Sequence, residues 1–186
     1  MRITGGEARG RAITGPEGLE VRPTASKVRQ AFFNILCNKV AGARFLDICA
    51  GSGLMGLEAL SRGAAGLVSI EENKKMAQSI RANLTRFKFD GEVICADVRK
   101  VLPILNKHGA DIAFADPPYK SNLLPTILRL FEEHKLLSPD GVLAFEHDAG
   151  TPVPGETESL VNFDSRKYGQ TKISFYRYKT PDDLDK

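Results

Sequence analysis

One stretch decides the fold of this chain: Phe45-Leu46-Asp47-Ile48-Cys49-Ala50-Gly51-Ser52-Gly53-Leu54-Met55-Gly56-Leu57-Glu58-Ala59-Leu60. It begins with apolar, aromatic and β-branched residues, as a short buried strand does. An acid closes that strand, two glycines open a tight turn, and leucines follow at helical spacing. This order is typical of the place where an open α/β sheet holds a nucleotide-like ligand. Glycine suits the loop because a Cβ would block close approach of the backbone to the ligand.

From residue 44 onward, predicted strands and helices alternate. The strands cover residues 45–48, 67–70, 92–95, 111–115 and 142–146, and the helices between them end near residues 61, 87, 105 and 134. Such alternation predicts right-handed βαβ units and a parallel sheet. Two further strands, 158–163 and 172–178, follow one another with only the segment 166–170 as a link, which predicts an antiparallel hairpin. We therefore predict a Rossmann-like α/β fold, mostly parallel, with an antiparallel C-terminal hairpin.

The segment before this alternation has a different character. Glycine-rich turns predict a hairpin from strands at 2–4 and 11–14, and a helix capped by Thr24 or Ser26 follows a loop at 15–23. We therefore divide the chain into a basic extension, 1–43, and a main domain, 44–186.

The net positive charge of the chain is concentrated in its N-terminal segment. The first 44 residues hold eight basic and three acidic side chains, whereas the remainder holds 18 and 20. This asymmetry indicates an anionic partner at the N-terminal end, although a solvated surface without a partner fits charge alone equally well.

Composition places the protein among ordinary globular chains. Its 186 residues are 42% hydrophobic and 26% charged, which fits one domain. No apolar run approaches the ~18 residues of a membrane span, and we expect a cytoplasmic protein. The three cysteines form no C-x-x-C pair, so we expect buried free thiols and no metal site.

Four predicted strands end at an acid. These acids are Asp47, Glu71, Asp97 and Asp116. A single acid at such a position is most often a helix cap or a turn former. The carboxyl ends of parallel strands line one rim of the sheet, so four acids there predict a ligand site.

The glycine loop leaves two cofactors open. Gly51-x-Gly53-x-x-Gly56, with Glu71 twenty residues after Gly51, satisfies the dinucleotide fingerprint of NAD enzymes. Asp47 argues against it, because a carboxylate there would repel a pyrophosphate. It suits instead a cationic ligand, such as the ammonium and sulfonium of S-adenosylmethionine.

With that ligand, Glu71 would accept hydrogen bonds from the ribose hydroxyls. Asp97 and the Val98 amide would bind adenine. The predicted cofactor-binding residues are Asp47, Ala50, Gly51, Ser52, Gly53, Glu71, Asp97 and Val98.

The tetrad Asp116-Pro117-Pro118-Tyr119 ends the fourth predicted strand. The two prolines make this rim rigid and extended. It can present the Asp116 carboxylate and the Pro117 carbonyl as two acceptors, followed by the aromatic face of Tyr119. Two acceptors and a ring suit a planar base with an exocyclic amine, so Asp116, Pro117 and Tyr119 are the predicted catalytic residues.

With these motifs the chain resembles the class I S-adenosylmethionine-dependent methyltransferases, and more narrowly the bacterial 16S ribosomal RNA guanine-N2 methyltransferases. Adenine-N6 enzymes share the tetrad, so the narrower resemblance depends on its combination with the basic head. The matching segments are Arg2–Gly6, Arg9–Arg11, Arg22–Thr24, Val28-Arg29, Leu46–Gly53, Gly56–Arg62, the tetrad and Tyr168–Thr171. His147 departs from the family pattern, and we assign it no role.

The resemblance implies methyl transfer from S-adenosylmethionine to the N2 amine of a guanine in 16S ribosomal RNA, within a small-subunit particle or assembly intermediate. RNA would be held by Arg2, Arg9, Arg11, Arg22 and Thr24. A monomer is the default, and neither DNA nor a membrane is expected as partner. An N6-adenine methyltransferase and an NAD-dependent oxidoreductase remain the alternatives, with a non-catalytic RNA-binding module as a third.

Overall fold

The computed structural model describes residues 1–15, 26–118 and 121–184. The strands of this part are β1 Arg44–Ile48, β2 Gly66–Ile70, β3 Glu92–Ile94, β4 Ala110–Ala115, β5 Leu137–Asp148, β6 Leu160–Tyr168 and β7 Thr171–Tyr178. The helices are α1 Ser26–Ile35, α2 Cys37–Val40, α3 Leu54–Ser61, α4 Lys74–Phe87, α5 Val98–Val101, α6 Leu123–His134 and α7 Pro181–Leu184, and a 3-10 turn covers Leu102–Ile104.

These strands form one sheet in the order β3-β2-β1-β4-β5-β7-β6. The first five are parallel, and β7 pairs antiparallel with both β5 and β6. The order reverses direction beside β1, so the loop after β1 lies at the switch point where such sheets bind ligands. The predicted fold class is confirmed.

Three predicted element boundaries are wrong. Strand β5 begins at Leu137 rather than at the predicted residue 142: Pro139-Asp140-Gly141, a sequence typical of a turn, is an irregularity inside the strand, where the register with β4 shifts between Ala110 and Ile112. Strand β6 continues through the predicted link to Tyr168, and the chain turns at Gly169, whose φ is +64°. The N-terminal hairpin is a single bridge between Arg2 and Ala12 rather than two strands.

Two apolar clusters cover the two faces of the sheet. One cluster joins the N-terminal segment to α3, α4 and the central strands. Phe32 of α1 is its centre, with its ring 5.1 Å from that of Phe114 and 6.1 Å from that of Phe175. The other cluster packs α5 and α6 against the opposite face.

The N-terminal segment is fastened to α3 by a buried ion pair. Glu58 of α3 is fully buried and binds Arg29 of α1 at 2.6 Å and Arg62 at 2.8 Å. The Thr4 amide and hydroxyl also donate to this carboxylate. Because these partners supply opposite charge and hydrogen bonds, the pKa of Glu58 is lowered despite desolvation by burial, which is the largest single effect and acts in the opposite direction.

The expectation of buried thiols is wrong for Cys95, which is exposed, while Cys49 is half-buried. Strand β3 is short and lies at the sheet edge, so the residue after it reaches solvent. Among the described residues, no helix is long and apolar enough to cross a membrane.

Candidate active site

Glycine fits closely at one position of the loop after β1 and at one in the first turn of α3. Gly53 has φ +72°, and a Cβ there would lie 2.7 Å from Ile80 of α4. Gly56 lies where a Cβ would come within 2.6 Å of Leu67 in β2. The turn itself is closed by the Gly53 amide, which donates to the Ala50 carbonyl at 2.7 Å. The loop is therefore packed closely against α4, and the first turn of α3 against β2.

Asp47 is the most deeply buried of the four predicted acids, with 2% of its surface exposed. Its Oδ2 accepts a hydrogen bond of 3.0 Å from the Gly56 amide. Burial raises the pKa of Asp47 to about 8, and the nearby charges of Glu71 and Asp116 act in the same direction against that hydrogen bond. A cation bound nearby would stabilise the ionised form of Asp47 and so lower this pKa.

Glu71 follows β2 and binds the glycine loop directly. Its Oε2 accepts from the Gly51 amide at 2.7 Å, and its Oε1 accepts from the Asn73 amide at 2.8 Å. Desolvation raises the pKa of Glu71, and these two amides oppose that effect. Each carboxylate oxygen keeps a second lone pair, so the side chain can still accept from a ligand.

Asp97 combines a local structural role with a place in the site. It caps α5 by accepting from the Arg99 amide at 2.8 Å, and it pairs with the Arg99 guanidinium. That pair lowers the pKa of Asp97 to about 2. The pair is exposed and therefore weak, so a ligand donor can compete with Arg99 for the carboxylate.

Asp116 stands directly after β4, between the loop and the C-terminal hairpin. Its amide donates to the Ile48 carbonyl at 3.3 Å, which extends the ladder between β4 and β1 by one residue. Pro117 is buried and Pro118 is exposed, while the Pro118 carbonyl accepts from the Ser121 amide. Tyr119 lies outside the described residues.

Three of the four predicted acids line one cavity of about 610 Å³. Its lining includes Cys49, Gly51, Glu71, Glu72, Asp97, Val98, Arg99, Asp116, Pro118, Ser121, Asn122 and Thr126. The volume suits a small-molecule ligand. A second cavity of about 360 Å³ lies at the opposite edge of the sheet, beside the first residues of β1 and β2. The first cavity therefore brings Gly51 and three of the predicted acids together, with Asp47 buried behind the loop.

Sequence reasoning missed several residues of this cavity. Cys49 has φ +56°, an uncommon conformation for a residue other than glycine, and it turns the chain out of β1. Its position directly after the strand is the available signal. Ser121, Asn122 and Thr126 come from the start of α6, and nothing in their spacing marks them as site residues.

The three described arginines of the predicted RNA surface are exposed but differ in their contacts. Arg2 donates to the Gly10 carbonyl at 2.7 Å. Arg11 lies 4.2 Å from the centre of the Phe87 ring and donates to the Arg86 carbonyl. Arg9 occupies the turn between the two bridged segments. Arg22 and Thr24 lie outside the described residues.

The sheet order, the glycine loop and the acid-lined rim together define an α/β protein of the class I methyltransferase type. The chain belongs to the family described as conserved hypothetical protein 95, whose model matches residues 1–177.

Two curated relatives span nearly the whole chain. Ribosomal RNA small subunit methyltransferase D of Escherichia coli (strain K12) is 30% identical over 187 residues, covering 100% of this chain and 93% of the relative. YlbH of Bacillus subtilis (strain 168), named as a candidate rRNA methyltransferase, is 33% identical over 181 residues, covering 95% and 98%.

A solved structure agrees with these relatives. The candidate methyltransferase yhhF from Escherichia coli superposes with a TM-score of 0.86 at 32% identity, covering 96% of this chain and 98% of that one. The family resemblance predicted from the sequence is therefore confirmed.

Proposed function

We propose that this protein transfers a methyl group from S-adenosylmethionine to the N2 amine of a guanine in small-subunit ribosomal RNA. Membership of a family with relatives named as rRNA methyltransferases supports the reaction class and the RNA substrate. The choice of guanine N2 follows from the motif resemblance.

The choice of cofactor rests on the hydrogen bonds of two backbone amides, one in the glycine loop and one in the first turn of α3. The Gly51 amide donates to Glu71 and the Gly56 amide to Asp47, so carboxylates occupy the donors that a pyrophosphate would need. An acid-lined cavity of about 610 Å³ suits a cationic nucleoside and disfavours the anionic NAD. The residues present therefore fit S-adenosylmethionine.

In this proposal the loop Ala50–Gly53 lies against the cofactor, and Asp47 stabilises its positive end. Glu71 accepts from the ribose hydroxyls, and Asp97 with the Val98 amide binds adenine. When bound, S-adenosylmethionine supplies an electrophilic methyl group beside the rim at Asp116.

Asp116 and the Pro117 carbonyl act on the target amine. That nitrogen is a poor nucleophile because its lone pair is delocalised into the base. Two acceptors that bind its hydrogens orient the lone pair toward the methyl group, so positioning and electrostatics supply most of the rate. Tyr119 stacks on the base, which leaves its helix or loop to enter the site.

The segment 1–43 docks the RNA in this proposal. Arg2, Arg9 and Arg11 bind backbone phosphates together with Arg22 and Thr24. We further propose that the protein acts as a monomer in the cytoplasm, on a small-subunit particle or an assembly intermediate.

A thermal-shift comparison tests the cofactor. S-adenosylhomocysteine should raise the melting temperature by an amount that grows with the logarithm of its concentration above Kd, and NAD should not. Stabilisation by NAD alone would favour the oxidoreductase alternative. Labelled-methyl transfer to naked ribosomal RNA and to small subunits, both hypomethylated, then tests the substrate. Label on adenine would favour the N6-adenine alternative.

A further inference from the structure

A fifth acid lies beside Asp116, on the neighbouring strand. Glu146 belongs to β5, and only 5% of its surface is exposed. The pairs Phe114–Ala144 and Ala115–Phe145 place Asp116, one residue after β4, level with Glu146, which lies two residues before the end of β5. Neighbouring strands are ~4.8 Å apart, so the two residues are immediate neighbours across the ladder.

Both side chains project from the same face of the sheet. Phe114 and Ala144 belong to the apolar cluster beneath α1 and α3, and side chains two residues further along a strand share a face. Asp47 lies two residues after Phe45, which belongs to the same apolar cluster, so its side chain also projects from this face. On its other side Glu146 pairs with Ile173, which is fully buried. Glu146 is therefore the acid at this face that lies beyond Asp116, on the side away from the glycine loop.

A carboxylate at this position can distinguish bases by their edges, because it accepts hydrogen bonds from N–H donors and is repelled by lone pairs. Guanine presents two kinds of donor along one edge, the N2 amine and the N1–H. Adenine presents an amine and an N1 that accepts. A base whose N2 amine lies at Asp116 would bring its N1 edge to one side of that carboxylate.

We infer that Glu146 determines base specificity by accepting the N1–H of guanine while Asp116 and the Pro117 carbonyl hold the N2 amine. The inference rests on the proposed function and deepens it. Adenine would bring the N1 lone pair against the Glu146 carboxylate, which repels it. Glu146 is thus a specificity-determining residue at the rim and takes no part in the transfer itself.

The test compares guanine with 2-aminopurine, which keeps the N2 amine but carries no hydrogen on N1. The mapped target nucleotide is replaced by either base in the RNA or small subunit, whichever form the wild-type protein methylates. Both substrates compete in one reaction, and the two methylated products are quantified by mass spectrometry. Wild-type protein should favour guanine by ~100-fold or more, because 2-aminopurine brings a lone pair on N1 against the Glu146 carboxylate where guanine brings a hydrogen.

Glu146→Gln should lower that preference at least ~10-fold, since an amide can donate to the bare N1 of 2-aminopurine. Glu146→Met removes the acceptor and should also lower the preference for guanine. It serves as a second variant if Glu146→Gln folds poorly. The intrinsic reactivities of the two bases cancel because every protein is assayed on the same pair.

Ser174→Ala is the matched control. Ser174 lies in β7 on the opposite face and bonds His147 at 2.9 Å, so this variant should keep the wild-type preference. A wild-type protein without preference, or variants whose preference falls less than ~10-fold, would overturn the inference while methyl transfer to guanine still stands. A wild-type protein that methylates no guanine would overturn the proposed function, and the inference with it.

Discussion

The ionisation of Asp47 makes the stability of the folded protein depend on pH. Its pKa of about 8 in the folded protein lies well above the ordinary carboxyl value, so the unfolded chain releases this proton more readily. The stability that Asp47 contributes is fully present below about pH 4 and is lost as the pH rises through about 8.

Asp47→Asn removes this ionisation and keeps an oxygen that can accept from the Gly56 amide. At pH 8 and without cofactor, the melting temperature of the variant should be at least ~3 °C above that of wild type, and this difference should vanish near pH 4. Calorimetry across this range measures it. Asp111→Asn is the control of opposite sign, because pairing with Arg44 lowers the pKa of Asp111 and its loss destabilises the protein at pH 8. Parallel pH profiles for wild type and Asp47→Asn would contradict the assignment.

Asp116→Ala tests the acceptor at the rim. Methyl transfer should fall by ~100-fold or more, because the target amine loses the carboxylate that orients it. Affinity for S-adenosylhomocysteine should stay within ~3-fold, since the loop and Glu71 remain. Transfer rates and calorimetric titration measure the two effects. A variant that binds cofactor and transfers at the wild-type rate would refute this role.

At the scale of elements, the turn at Gly6 fastens the N-terminal segment to α3. Gly6 has φ +76°, and a Cβ there would lie 1.7 Å from the Ser61 carbonyl oxygen. That carbonyl accepts from the Glu7 amide at 2.8 Å, so the turn also caps the end of α3. The approach leaves no room for any side chain at Gly6.

Gly6→Ala should lower the free energy of unfolding by more than ~2 kcal/mol, because the clash with backbone adds to the strain of a positive φ. Gly10→Ala is the matched control, since Gly10 has φ +83° with no atom within 4 Å of the added Cβ. It should cost ~1 kcal/mol. Denaturant titration measures both variants. Equal losses at the two positions would show that docking on α3 contributes nothing at Gly6.

Local sequence pattern predicts the elements best where periodicity and turn chemistry agree. The strand–glycine–helix unit at 45–60 has both signals, and its boundaries differ from the structure by about one residue. The prediction fails in β5 because Pro139-Asp140-Gly141 is typical of a turn, yet pairing with β4 carries the strand past it. The position of Glu146 beside Asp116 depends on that pairing, which local pattern does not specify.

At the scale of the whole molecule, the basic N-terminal segment and the acidic rim have opposite charge. Arg9 and Arg11 are exposed at one end of the chain, while Glu71, Asp97 and Asp116 line the cavity. We propose that the arginines bind the RNA backbone and that the bound RNA places a base in the acid-lined cavity.

The triple variant Arg2→Ala, Arg9→Ala, Arg11→Ala tests the docking surface. RNA affinity should fall, and the slope of log affinity against log salt should decrease by roughly 0.7–0.9 for each phosphate that the variant no longer binds. Arg129→Ala, an exposed arginine on α6, is the control and should leave the slope unchanged. Filter binding at several salt concentrations gives these slopes. An unchanged slope in the triple variant would remove the segment from the RNA interface.

The most direct test of the proposed function is to identify the atom that receives the methyl group. Purified protein is incubated with labelled S-adenosylmethionine and hypomethylated ribosomal RNA or small subunits, and the modified nucleoside is mapped by mass spectrometry. We predict a single N2-methylguanosine in 16S ribosomal RNA, which disappears in Asp116→Ala. Label on an adenine, or on DNA alone, would contradict the proposed function.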